Sequence, residues 1–173
     1  MRWAALGIGV AGAALVAVLS TRPPAQVAEA ASPIVGQPAP PTAGTDIGGG
    51  RFSLTDLRGR FVVVNFFASW CGPCHQELPQ LVAMDRSGTA VVGVVFSDSA
   101  GSARRFLTGG GAHWPALDDG EGALALAWGV RAPPESFLVS PDGAVLAKVI
   151  GPLTPNQVGY FNRVIVQARR AGL

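Results

Sequence analysis

Two cysteines, two histidines and one tyrosine are all that this 173-residue chain has of those residue types. A scaffold held by several disulfides is excluded, because two cysteines form at most one intrachain bridge. A four-ligand Cys/His zinc site would have to use every cysteine and every histidine. Charge is also scarce: 14% of residues are charged, and 13 Lys+Arg against 11 Asp+Glu leave a formal net charge of +2. No basic run appears, so charge draws the chain to neither nucleic acid nor an anionic membrane surface. Internal repeats are missing. What is present is apolar. Hydrophobic residues make up 49% of the chain, and the mean hydropathy is +0.34. That excludes wholesale disorder, and the length fits one domain.

Trp3 to Leu19 is an unbroken stretch of apolar and small residues, with no charge between Arg2 and Arg22. As a helix it would be about 25 Å long at roughly 1.5 Å per residue, between a signal core and a full membrane span. A buried core helix is the weaker reading, since a Pro-rich stretch follows. Residues 1–22 are therefore expected to be a signal-anchor or signal peptide. Ala28-Glu29-Ala30 has the form of a cleavage site but lies well past the apolar end, which favours an uncleaved anchor. Residues 23–41 hold six prolines among alanines (Pro23, Pro24, Pro33, Pro38, Pro40 and Pro41) and read as a semi-rigid linker. Residues 42–173 form the expected domain, with the folded part beginning near Val35.

Within it, Phe61–Phe67 and Ala90–Phe96 are continuous apolar runs, as expected of strands buried on both faces. The patterns predict helices over Pro73–Arg86, Ser99–Leu107 with Ser99 as N-cap, and Gly122–Trp128 with Gly129 as its stop. Ser136–Val139 and Val145–Ile150 flank Pro141-Asp142-Gly143 and should form an antiparallel hairpin. Thr154-Pro155-Asn156-Gln157 reads as a capped helix start. Strands alternating with helices imply parallel pairing, and the late hairpin adds antiparallel strands. The expected class is α/β, with a mixed central sheet covered by helices on both faces and preceded by one N-terminal transmembrane or signal-anchor helix.

Trp70-Cys71-Gly72-Pro73-Cys74 follows the buried strand and opens a helix. Free backbone N–H groups and the helix dipole at that point favour an anion, so the Cys71 thiolate should be stabilised. Pro73 in the first turn forfeits no needed hydrogen bond. Cys74 lies one turn on and can close a small ring with Cys71. One sulfur can then attack a target disulfide while the other resolves the mixed disulfide. Three blander readings compete. A structural bridge of this spacing would remove little chain entropy. A zinc half-site would need His75 and His113. Inert core cysteines would not require this strand–turn–helix setting.

Tryptophan-Cys-Gly-Pro-Cys after an apolar strand resembles the active-site signature of thioredoxin-like proteins. Further segments are similar to the membrane-tethered TlpA/ResA/DsbE (CcmG) group. These are Leu54–Arg60, Asn65–Trp70 and Pro79, together with Gly129–Phe137 and Gly151–Pro155, which are nearest the cytochrome c maturation members. The resemblance covers about residues 35–166.

It implies a thioredoxin-like fold and an extracytoplasmic thiol:disulfide oxidoreductase with a redox-active Cys71–Cys74 disulfide. The expected activity is reduction of apocytochrome c, or of a partner holding its cysteines. A membrane electron donor of the DsbD/CcdA type would recycle the protein. The expected location is the cell (inner) membrane, single-pass, with the domain on the periplasmic side. No cofactor, metal or nucleic acid is implied, because the cysteine pair carries the electrons. Pro134 matches the family's cis-proline, which docks substrate backbone. Asn65 stands where cytoplasmic thioredoxins carry a buried Asp, so proton handling must come from elsewhere. Glu77 and Glu135 are the nearest carboxylates by sequence. For Glu77 the competing reading is a solvated helix face, and for Glu135 a plain loop carboxylate rather than a group acting on Cys74. Trp70 either shields the disulfide or packs. Pro133 departs from the pattern: without an N–H it should deny docked substrate one hydrogen bond. An oxidant of exported proteins, a thioredoxin-fold peroxidase and a copper chaperone remain as alternatives.

Overall fold

In this computed structural model the described residues are 32–173. The expected anchor, and the linker as far as residue 31, lie outside them. Among the described residues no helix is long and apolar enough to cross a membrane. A short antiparallel hairpin, β1 (Ala43–Thr45) and β2 (Arg51–Ser53), comes first, then a 3₁₀ turn over Leu54–Leu57. β3 (Val62–Phe67), α1 (Gly72–Arg86), β4 (Ala90–Val95), α2 (Ala100–Gly109) and β5 (Ala116–Asp118) follow. The chain ends with α3 (Ala123–Ala127), β6 (Glu135–Val139), β7 (Val145–Ile150) and α4 (Pro155–Arg170).

Five strands form one sheet in the order β5-β4-β3-β6-β7. β3 pairs in parallel with β4, and β4 with β5. β6 runs antiparallel to both β3 and β7. The mixed sheet thus has the expected composition. Every residue of β3, β4 and β6 is buried, because helices or loops cover both faces. On one face Val63, Leu138 and Val149 pack on Leu81 and Met84 of α1 and on Phe161 and Ile165 of α4. The same face continues with Phe67 and Val95 against Leu78 of α1 and Ala103 and Leu107 of α2. On the other, Val64, Phe66 and Phe137 pack on Trp128 and Ala125. Trp128 is fully buried, and its Nε1 donates to Thr42 Oγ1 at 2.9 Å.

Local signals explain most boundaries. Ser99 caps α2, its hydroxyl accepting the Ser102 N–H at 3.1 Å. Gly129 stops α3 at φ 64, a left-handed turn that any side chain would resist. Some local features differ from the sequence reading or add to it. β1 and β5 were not anticipated, because three-residue strands carry too little alternation to be seen. Thr154 precedes α4, but its side chain makes no cap hydrogen bond to the backbone and meets Gln157 instead. The end of the Pro-rich segment is tied to the domain. Gly36 N–H donates to Val145 O, Val145 N–H to Gln37 O and Ala39 N–H to Gly143 O, while Ile34, Val35 and Ala39 pack on the core. Proline-rich composition marks an extended segment, and an extended segment with free backbone groups can bind a sheet edge.

Candidate active site

β3 ends at Phe67, and a tight turn leads into α1. Cys71 is the N-cap of that helix, with φ −82 and ψ 107. Its Sγ accepts the Cys74 N–H at 3.2 Å. Cys71 and Cys74 are joined by a disulfide, with their Cα atoms 5.3 Å apart. Both are buried, at 4% and 1% exposure, whereas Gly72 and Pro73 between them are exposed. The helix places Pro73 in its first turn, where a missing N–H costs nothing.

Residues 69 and 70 are held from the loop after β4. Asp98 Oδ2 accepts the Ser69 N–H at 2.7 Å, and the Ser97 carbonyl accepts Trp70 Nε1–H at 3.1 Å. Ser97 has φ 48, in the left-handed region that serine rarely occupies. Burial pushes the Asp98 carboxyl up, but hydrogen bonds from Ser69 and Ser99, with the Arg105 charge, outweigh it and hold the group below its usual value. Trp70 itself is 60% exposed. His75 is exposed; its ring contacts the Ser69 carbonyl and the Phe106 ring.

Pro134 comes from another element, immediately ahead of β6. β6 is antiparallel to β3, so its first residue, Glu135, lies beside Phe66 at the end of β3. The Pro133–Pro134 bond is cis.

One turn beyond Cys74 along α1 lies a buried polar group. Glu77 sits three residues after Cys74 on α1 and is 1% exposed, so the solvated-face reading is wrong. Its Oε1 accepts Asn65 Nδ2–H at 2.7 Å, and its Oε2 accepts the Leu153 N–H at 2.8 Å. Asn65 also donates to Ser136 Oγ at 3.0 Å. Burial pushes the Glu77 carboxyl up to about 7, with the Leu153 and Asn65 hydrogen bonds only partly offsetting it.

Glu135 does not join this group. Neighbouring residues of a strand face opposite ways, and Ser136 takes the Asn65 side. Glu135 turns to the other face, where its Oε2 meets Lys148 Nζ at 2.6 Å and its Oε1 accepts the Arg131 N–H at 3.1 Å. It is neither a plain loop carboxylate nor turned toward Cys74. Lys148, Ser136, Ser97 and Asp98 escaped the sequence reading. Lys148 alone left a signal, as the one charge within an apolar strand. Among the described residues no group of three or more His, Cys, Asp or Glu could hold a metal ion.

The arrangement can do one kind of chemistry well. A sulfur at a helix N-terminus is a good thiolate, a second lies within bonding distance, and a carboxyl that titrates near neutrality is one turn away. The chain is similar to several known proteins. The model of the AhpC/TSA family matches residues 35–148. The thiol:disulfide interchange protein HelX of Rhodobacter capsulatus is 38% identical over 109 residues, which are 62% of this chain and 62% of HelX, just under two thirds of it. The DsbE homolog of Paracoccus denitrificans is 38% identical over 144 residues, 81% of this chain and 78% of that protein. A crystal structure of a thiol:disulfide interchange protein, a thioredoxin family protein from Chlorobium tepidum, is similar with a TM-score of 0.66 and 26% identity. It covers 80% of this chain and 99% of that one.

Proposed function

Because this chain belongs to the thioredoxin-like AhpC/TSA family, we propose that it is a thiol:disulfide oxidoreductase acting on protein substrates outside the cytoplasm. The observation that carries the reading is the Cys71–Cys74 disulfide at the head of α1, its first sulfur already accepting a backbone N–H. In the reduced form the Cys71 thiolate attacks a substrate disulfide. A mixed disulfide forms and one substrate thiolate leaves. Cys74, once deprotonated, attacks Cys71 Sγ, releasing the second substrate thiolate and closing the Cys71–Cys74 bond. Two electrons pass to the substrate. Glu77 is the group to which we assign the Cys74 proton, because it lies one turn away and titrates near 7. Pro134 and its loop receive the substrate backbone.

Gly-Pro between the cysteines, as in thioredoxin, supports the reducing direction. By family resemblance the substrate is apocytochrome c or a partner holding its cysteines, and a membrane donor of the DsbD/CcdA type restores the dithiol. Residues 1–22 would anchor the chain in the cell membrane with the domain on the periplasmic side. Equilibrating the protein with a thiol redox buffer tests the direction. A potential near that of thioredoxin, about −270 mV, supports the reductant; one near about −120 mV would make it an oxidant. Cys71→Ser should abolish exchange with protein disulfides.

A further inference from the structure

We infer that the buried Lys148–Glu135 pair is a clamp that fixes the Gly129–Pro134 loop, making Lys148 a positioning residue for substrate docking; this rests on the oxidoreductase reading above. Lys148 lies in β7 at 6% exposure. Its Nζ sits 2.6 Å from Glu135 Oε2 and 3.4 Å from the Gly129 carbonyl. The same ammonium stands 4.9 Å from the centre of the Phe137 ring. The other Glu135 oxygen accepts the Arg131 N–H, and Gly151 N–H donates to Pro134 O at 2.9 Å. Besides the hydrogen bonds of Gly129 and Val130 to α3, the loop is thus gripped at its first residue, its third and its last, from β6, β7 and the residue that follows β7.

Packing and α3 hold the start of the loop, where Val130 is buried in the core and its N–H donates to Ala125 O at 2.8 Å. Beyond that start a cavity of about 480 Å³ borders the loop, lined by Gly129, Arg131, Glu135 and Lys148 and, among others, by residues 32–34. Prolines 133 and 134 have no N–H with which to tie themselves down. Stability alone does not explain the charges. A buried ion pair is commonly replaceable by apolar residues of similar volume at no loss, and what it can supply instead is a defined geometry. Glu135 is bonded directly to Pro134, so a shift of the pair moves the residue that meets substrate.

The test uses the reduced protein, mixed in single turnover with increasing amounts of a synthetic peptide carrying one disulfide. Lys148→Met and the double variant Glu135→Leu/Lys148→Met are compared with wild type. The double variant leaves no unpaired buried charge, so it should fold even where the single variant does not. In both, the half-saturating peptide concentration should rise about ten-fold with the limiting rate within about two-fold, the pattern of lost docking. The reduction potential and the pH dependence of the limiting rate should stay as in wild type. In the wild-type protein, hydrogen exchange at the Arg131 amide should be slow. Folded variants with wild-type half-saturation overturn the clamp. So does a shifted potential or pH profile at unchanged half-saturation, which would place the pair's action on the sulfurs, and so does fast Arg131 exchange. A wild-type protein that reduces no peptide disulfide overturns the reading of function, and the clamp with it.

Discussion

Glu77 is the residue whose environment most changes its chemistry. A carboxylate with two N–H donors should stay ionised, yet burial wins and moves it to about 7. The folded protein therefore holds a proton on Glu77 between its ordinary value of 4.5 and about 7, where the unfolded chain has lost it. Stability falls as pH rises through that window, by about 3 kcal/mol in all from this group. Thermal melts from pH 4.5 to 7.5 should show the decline, and Glu77→Gln, which carries no charge at any pH, should flatten it. An unchanged slope would mean that Glu77 is not the group responsible. Pro133 makes a second residue-scale prediction. If its missing N–H denies substrate a hydrogen bond, trapping of a mixed disulfide by Cys74→Ser should tighten when Pro133→Ala is added. Equal trapping by the two proteins would remove that role.

At the scale of elements, the active-site turn is braced from the neighbouring strand. β4 lies beside β3, and Gly93 in its middle faces Phe67 and Ala116. A Cβ at Gly93 would stand 2.7 Å from Phe67 Cε1 and 3.0 Å from Ala116 Cβ. Phe67 stacks on Phe106 of α2 with ring centres 5.6 Å apart, so it cannot move aside freely. Gly93→Ala should destabilise the protein by about 1–3 kcal/mol, the usual cost of overpacking. Chemical denaturation would measure it, and a neutral result would show that the Phe67 ring yields. The loop after β4 matters for another reason. Its left-handed Ser97 and the Asp98 carboxylate together hold Ser69 and Trp70 immediately ahead of Cys71.

For the whole molecule, the boundary of the folded unit is set by packing rather than by composition. Residues 34–39 pair with Gly143–Val145 at the start of β7 and pack on the core cluster that holds Trp128. Removal of residues 1–31 should leave the melting temperature of the domain unchanged. Removal of residues 1–41 should cost about 3 kcal/mol, from the lost burial of Ile34, Val35 and Ala39 and the exposed edge of β7. A calorimetric comparison of the two truncations decides this, and equal melting temperatures would return those residues to the linker.

The sequence by itself determined the order of the long elements, the parallel and antiparallel pairing, and the cysteine pair at the head of α1. Those features are written locally, in apolar runs, turn residues and a five-residue motif. Tertiary structure alone decided that Glu77 is buried and Glu135 turned away from it. A helix pattern does not say which neighbour covers a given turn. Nor does a strand say which of two adjacent residues will meet a distant lysine, because burial and pairing depend on elements far along the chain.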